Sequence, residues 1–285
     1  MLPYEQLMRM KEFVPDPALS NNFLTGTPLD LTLSREGGLP KGTVYLVSGP
    51  AGVGKSTIVL TAEANMLAGC PDGKFLYISV EMNPGEMKPI ADRFEKTKEL
   101  PVLFVPTGGG PVKTSNLLMS VLKRGWDVVG LDSYEALKHV LRFYEKMSSA
   151  EADQFIMDLL HFHAEGHNDR GVSTSFLVLQ METKSGTVRG SNTLVHGVTS
   201  HMEVKFVNKE DPFSNRYITF PKHRRGMEHT RLFFDLHEDG DVFYDLESYL
   251  EELDRGRSRY NIKHNRSSLS AKLDEMFQKA LTGSK

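Results

Sequence analysis

The chain has 285 residues, 39% hydrophobic and 25% charged, with 34 basic and 37 acidic side chains and a net charge of −3. That balance excludes a protein that coats nucleic acid over its whole surface, so any nucleic-acid contact must be local to particular loops. The one cysteine, Cys70, cannot form an internal disulfide or a structural zinc site, and no run approaches the roughly 18–20 apolar residues of a membrane span.

In chain order, residues 1–30 are broken by Pro15, Pro17, Asn21 and Asn22 and predict an N-terminal arm, without the basic-then-apolar pattern of a signal peptide. A cytoplasmic setting follows as the expectation. Residues 31–247 carry short, continuous apolar runs: "TVYLVSG", "FLYISVE", "VLFVPT", "VVGLDS" and "SFLVLQ". Such runs, β-branched and aromatic rather than alternating, predict strands buried on both faces of a parallel sheet. Helical patterns at Thr57–Leu67, Pro84–Lys96, Ser115–Lys123 and Ala150–His163 separate most of them, which is the βαβ alternation of an α/β fold. The closely spaced "MEVKFV", "RYITFP" and "TRLFFDL" predict antiparallel strands finishing the sheet.

Residues 248–285 form a basic linker and a C-terminal amphipathic helix. "RGRSRYNIKHNR" has five Lys/Arg and no acid, and Leu269, Leu273, Met276, Phe277, Ala280 and Leu281 then make one apolar stripe behind serine caps. A neighbouring subunit or a replication or recombination protein is a candidate partner for this stripe; packing on the chain's own core is the alternative.

The chemistry concentrates in "GPAGVGKST", which fits G-x-x-x-x-G-K-[ST] between an apolar strand and a helix. Gly49, Pro50, Ala51, Gly52, Val53 and Gly54 supply a turn whose N–H groups can face phosphates, and the helix from Lys55, Ser56 and Thr57 adds its positive end. Lys55 suits the β/γ-phosphates and Ser56 a Mg²⁺ ion, which makes ATP and Mg²⁺ the expected ligands. Asp132 ends an apolar strand and is placed to hold Mg²⁺ through water. Glu81, closing another strand, is the candidate base that activates water. Gln180 closes a third and can sense the γ-phosphate.

A P-loop, a strand-end Glu, a strand Asp and a strand-end Gln in that order resemble the RecA-like ATPases. Within that group "LD…GGLPKG" before the P-loop, "TKSGTVRGSNTLVHGVTSHMEVKF" and "PKHRRG" are similar to the RadA/Sms branch-migration family and its core-only phage relatives. "SVEM" at 79–82 is closer to the DnaB-type helicases. Full-length RadA proteins add a four-cysteine zinc module and a protease-like domain; from one cysteine and a short tail, the expectation here is the core alone.

The resemblance implies a RecA-like P-loop NTPase core and an oligomeric ring or filament with ATP between subunits. Lys222 and Arg224 would then be trans-acting cations on the transferring phosphoryl group, with Arg225 as a substitute. It also implies single-stranded DNA contact through Lys184 and Arg189, in the loop after Gln180, and through Lys138, His139 and Arg142, where a plain helix surface is the alternative. Arg93 either stacks on adenine or lies on a helix surface. The implied activity is a DNA-stimulated ATPase acting in recombination, repair or replication, by branch migration or helicase-type translocation. The alternatives are an ATP-switched recombinase or annealing filament, and a KaiC-like ATPase that does not act on DNA.

Overall fold

A computed structural model describes residues 21–108, 110–182, 192–209, 211 and 214–259. Nine strands form one sheet: β1 (Val44–Gly49), β2 (Phe75–Ser79), β3 (Val102–Phe104), β4 (Val128–Asp132), β5 (Ser175–Met181), β6 (Ser200–Phe206), β7 (Arg216–His223), β8 (Leu232–Leu236) and β9 (Val242–Asp245). Their spatial order is β3-β2-β4-β5-β1-β6-β7-β8-β9. Pairing is parallel from β3 through β6 and antiparallel from β6 to β9. The fold is thus the expected α/β architecture, a mostly parallel sheet finishing in antiparallel strands. The "MEVKFV" strand, β6, joins the two regimes, parallel to β1 and antiparallel to β7.

The two-sided burial predicted from the apolar runs follows from the helices. On one face lie α1 (Asp30–Leu33), α2 (Lys55–Gly69), α3 (Pro84–Arg93) and α8 (Leu246–Arg259), and on the other α4 (Thr114–Lys123), α5 (Tyr134–Tyr144), α6 (Ser149–Ala164) and α7 (Asn192–Gly197). In β1 the side chains alternate between these two cores, with Tyr45 and Val47 in the first and Val44 and Leu46 in the second.

The helix expected over Pro84–Lys96 stops at Arg93. Phe94 turns into the core, where a Cβ on Gly240 would fall 1.7 Å from its ring, and Glu95–Glu99 continue as a 3₁₀ turn. The start of α3 is fixed by a capping box between Asn83 and Glu86.

Both flanks of the 31–247 core touch it. Phe23 pairs with Leu39, and the Asp30 carboxylate accepts the Thr25 and Gly26 N–H groups. Burial pushes the Asp30 pKa up to about 6. Tyr249 and Leu253 of α8 are buried in the first core cluster, with Leu246 and Leu250 packed against it, so this stretch of α8 packs on the sheet. The apolar stripe at Leu269–Leu281 lies outside the described residues.

The order β2-β4-β5-β1 brings the ends of four parallel strands side by side. Glu81 just beyond β2, Asp132 on β4, Gln180 on β5 and the P-loop after β1 therefore share one edge of the sheet. In open parallel sheets this carboxyl edge is where ligands bind.

Candidate nucleotide site

The P-loop leaves β1 at Gly49, where a Cβ would come within 2.3 Å of the Val204 carbonyl oxygen on β6. It enters α2 through Gly54, at φ 102°, with Leu236 Cδ1 2.4 Å from where a Cβ would stand. Glycine is thus required at one end by close approach and at the other by left-handed backbone. Val53 is buried in the core between them, so its side chain anchors the turn. Pro50 and Ala51 sit on the accessible side of the turn, and Thr57 lies in the first turn of α2.

No side chain caps α2, which leaves its first N–H groups directed outward, as an anion requires. The Lys55 ammonium donates to the Gly49 and Pro50 carbonyls, each at 2.9 Å. Burial lowers the Lys55 pKa, while Asp132, Glu81 and Glu182 oppose the shift. Those three acids place the lysine among the charges of the site.

The Ser56 hydroxyl donates to Asp132 Oδ2 at 2.7 Å, joining the start of α2 to the end of β4. Among the described residues no group of three His, Cys, Asp or Glu side chains could hold a metal alone. One hydroxyl and one carboxylate nevertheless fit Mg²⁺, which takes oxygen ligands and is commonly shared with substrate phosphates.

Glu81 is exposed beside the buried Asp132, and the β2 and β4 ends are stitched by Val80 and Glu81 N–H groups bonding the Asp132 carbonyl at 2.7 and 3.3 Å. Ser133 donates its hydroxyl to Glu81 Oε1 and also caps α5. Gln180 is fully buried, and its side-chain oxygen accepts the Glu135 N–H at 3.2 Å. Glu81 and Gln180 therefore both grip the first residues after Asp132. The structure brings Lys55, Ser56, Glu81, Asp132 and Gln180 together along one edge.

Other expected residues are placed differently. Lys222 donates to the Val195, His196 and Val198 carbonyls at 2.7–2.9 Å, so its three N–H donors cap the end of α7 within its own chain. This removes Lys222 as an outward-reaching cation. Arg224, two residues on, is exposed.

Lys138 is also corrected. It is 6% exposed, and its ammonium meets Asp153 at 2.8 Å, so it is not available to a DNA phosphate. His139 and Arg142 on the same helix are exposed. Arg93 is exposed at the end of α3, with its guanidinium 4.7 Å from the Phe94 ring centroid. Lys184 and Arg189 lie outside the described residues.

The site contains groups the motifs did not indicate. Tyr77 donates to Asp132 Oδ2 at 2.6 Å. Ser48, just before the P-loop, bonds Glu182 Oε1 at 3.2 Å and His201 Nε2 at 2.7 Å. A serine has one proton; donated to Glu182, it leaves Nε2–H of His201 as the donor to Ser48. Burial lowers the His201 pKa, consistent with a neutral ring, and raises that of Glu182.

No protein-family model matches the chain. It is similar to the DNA repair protein RadA of Campylobacter jejuni, with 29% identity over 175 residues, covering 60% of this chain and 35% of that protein. The match thus spans about a third of the curated relative's length. Among solved structures it resembles a KaiC-like protein from Pyrococcus horikoshii, with a TM-score of 0.58 and 16% identity, over 79% of this chain and 99% of the other. The chain shares the fold of this KaiC-like protein, and part of its sequence is similar to part of RadA.

Proposed function

We propose that the chain is an ATPase that works as an oligomer on single-stranded DNA. The observation that carries the ATPase reading is the Ser56–Asp132 contact at 2.7 Å, with Lys55 on one side and Glu81, held by Ser133, on the other. A P-loop that only bound nucleotide would not require an exposed carboxylate anchored one residue from the metal-facing aspartate. Bound at this pair, Mg²⁺ would neutralise charge on the β/γ-phosphate oxygens.

The remaining work falls to the chain. Loop N–H groups and the α2 terminus hold the phosphates, and Lys55 leaves its loop carbonyls to balance their charge. Glu81 accepts a proton from the attacking water while Ser133 fixes its orientation. Gln180 links the nucleotide edge to the N-terminus of α5 and, through β5, to the segment that follows. Arg224 is the proposed cation supplied to a neighbouring subunit's phosphates. Arg93 is kept as a candidate adenine contact.

DNA action is supported by two features. The RadA relative is named a DNA repair protein. The α5 end exposes Phe143, stacked on His139 with ring centroids 5.8 Å apart at 7°, with the Lys146 ammonium 5.4 Å from the Phe143 ring. An exposed aromatic with cations beside it suits a stacked base and its phosphate. Arg142 is exposed on the same helix, and Lys184 and Arg189, outside the described residues, are kept as proposed DNA contacts. Branch migration or helicase-type translocation is the proposed use of the energy, and Leu269–Leu281 the proposed docking segment for a neighbouring subunit or a partner protein.

Two substitutions test the chemistry. Lys55→Ala removes ATP binding and hydrolysis together, while Glu81→Gln keeps ATP binding and loses turnover. ATP hydrolysis by Glu81→Gln at the wild-type rate would overturn the assignment.

A further inference from the structure

Asp132 is held from two sides. Ser56 reaches its Oδ2 from the P-loop helix, and Tyr77 reaches the same oxygen from inside the sheet. Tyr77 is fully buried on β2, where it lies opposite Gly130 in the parallel pairing with β4, while Ser79 lies opposite Asp132. Its ring therefore runs along the sheet past two residues of rise, about 6.6 Å, to meet the carboxylate.

The path of the ring is cleared by Gly130. A Cβ there would stand 2.8 Å from Tyr77 Cδ2 and 2.6 Å from Glu63 Oε1. Glu63 projects from α2 seven residues beyond Ser56, on the same side of the helix, and is fully buried. Among the described residues neither of its carboxyl oxygens has a hydrogen-bond partner, and burial raises its pKa well above the ordinary value. Burial thus favours the protonated form of the side chain beside Tyr77, and the phenol hydroxyl donates to Asp132 with Ser56 close by.

The two donors to Oδ2 differ in what they can do. Ser56 is the P-loop hydroxyl that a cation would recruit through its oxygen lone pair, with its O–H still free to donate to Asp132, so this contact moves with the P-loop and its ligand. Tyr77 is enclosed by the core and stays.

We propose that Tyr77 is a positioning residue for Asp132. Its hydroxyl pins one carboxylate oxygen from the core side, so the aim of the aspartate does not depend on the P-loop serine alone. This rests on the reading of Ser56 and Asp132 as the Mg²⁺ pair. Partners that orient a metal-binding carboxylate typically alter metal affinity by about 10- to 100-fold when removed.

The test measures binding without turnover. Affinity for a fluorescent ADP is titrated in EDTA and across Mg²⁺ concentrations, and Mn²⁺ binding to the nucleotide complex is read by electron paramagnetic resonance. Tyr77→Phe is expected to weaken Mn²⁺ binding and raise the half-saturating Mg²⁺ about 10-fold, with the EDTA affinity for ADP unchanged. Asp132→Ala is measured in parallel.

If Asp132→Ala shifts the metal dependence and Tyr77→Phe, folded by its thermal melt, does not, the positioning role is overturned and the metal pair stands. If Asp132→Ala leaves metal binding unchanged, the metal-pair reading itself falls. Equal loss of nucleotide affinity with and without metal in Tyr77→Phe would indicate structural damage alone and would also overturn the proposal. Should Tyr77→Phe fail to fold, Gly130→Ala displaces the ring while keeping the hydroxyl and is read the same way. An unchanged Mn²⁺ affinity in that folded variant would count against Tyr77.

Discussion

Lys138→Ala should destabilise the protein and leave its DNA affinity intact. The Lys138 and Asp153 side chains are 8% and 16% exposed, with 2.8 Å between charged groups, and Asp153 also accepts the Tyr134 hydroxyl at 2.7 Å. Breaking a buried ion pair from one side costs about 3–5 kcal/mol, because the remaining charge is stranded. Here Asp153 keeps Tyr134 and some solvent, so a loss of about 2–3 kcal/mol is expected. In a domain of this size that corresponds to a drop in Tm of roughly 5–10 °C. Thermal melts read the loss. Fluorescence anisotropy with a labelled single strand, run well below the lower Tm, reads the binding. As a comparison, Arg142→Ala should leave Tm nearly unchanged while weakening DNA binding and lowering the salt slope by about 0.7. If Lys138→Ala melted within 1–2 °C of wild type and lost DNA affinity, the burial argument would be refuted.

Lys222→Ala should uncap α7, speed hydrogen exchange at the Val198 amide and lower stability by about 1–3 kcal/mol, the range for hydrogen bonds from a charged donor. Because the cap acts within one chain, mixing this variant with Glu81→Gln subunits should not rescue hydrolysis at their shared interfaces; rescue there would assign Lys222 to the neighbour's site. Glu63→Gln should stabilise the protein increasingly as pH rises. The native state holds the Glu63 proton above the ordinary 4.5 while the unfolded chain releases it, so wild-type stability falls with pH across that window. The gain should vanish below about pH 4.5 in urea titrations, and a gain independent of pH would contradict a neutral buried Glu63.

The parallel strands were legible because burial on both faces writes a continuous apolar run. α2, α4 and α6 appeared within about two residues of their observed ends for the same reason: their apolar faces repeat at helical spacing. Where α3 ends was not legible, since its stop depends on Phe94 meeting Gly240, far along the chain. Nor was β9, whose "VFYD" alternates weakly at the sheet edge.

At the site, the shared-edge positions of Asp132, Glu81 and Gln180 were legible because each closes an apolar run with a polar residue, and the P-loop turn was legible in its glycine–lysine spacing; their chemical roles stay proposals. The roles of Lys138 and Lys222 could not be read. A lysine's charge is visible in sequence, but the carboxylate or helix terminus that engages it is a product of tertiary packing. Tyr77 and Ser48 sit inside apolar runs, where a hydroxyl reads as filler until its acceptor is known.

The central claim is an ATPase coupled to single-stranded DNA. The most direct measurement is the steady-state ATP hydrolysis rate of the full chain with and without an unstructured single strand, at protein concentrations where light scattering gives the oligomer mass. The account predicts an oligomer whose hydrolysis rises with the DNA, and loss of that rise in Arg142→Ala. A well-formed oligomer hydrolysing ATP at one rate regardless of DNA would contradict it and favour an assembly ATPase that does not use nucleic acid.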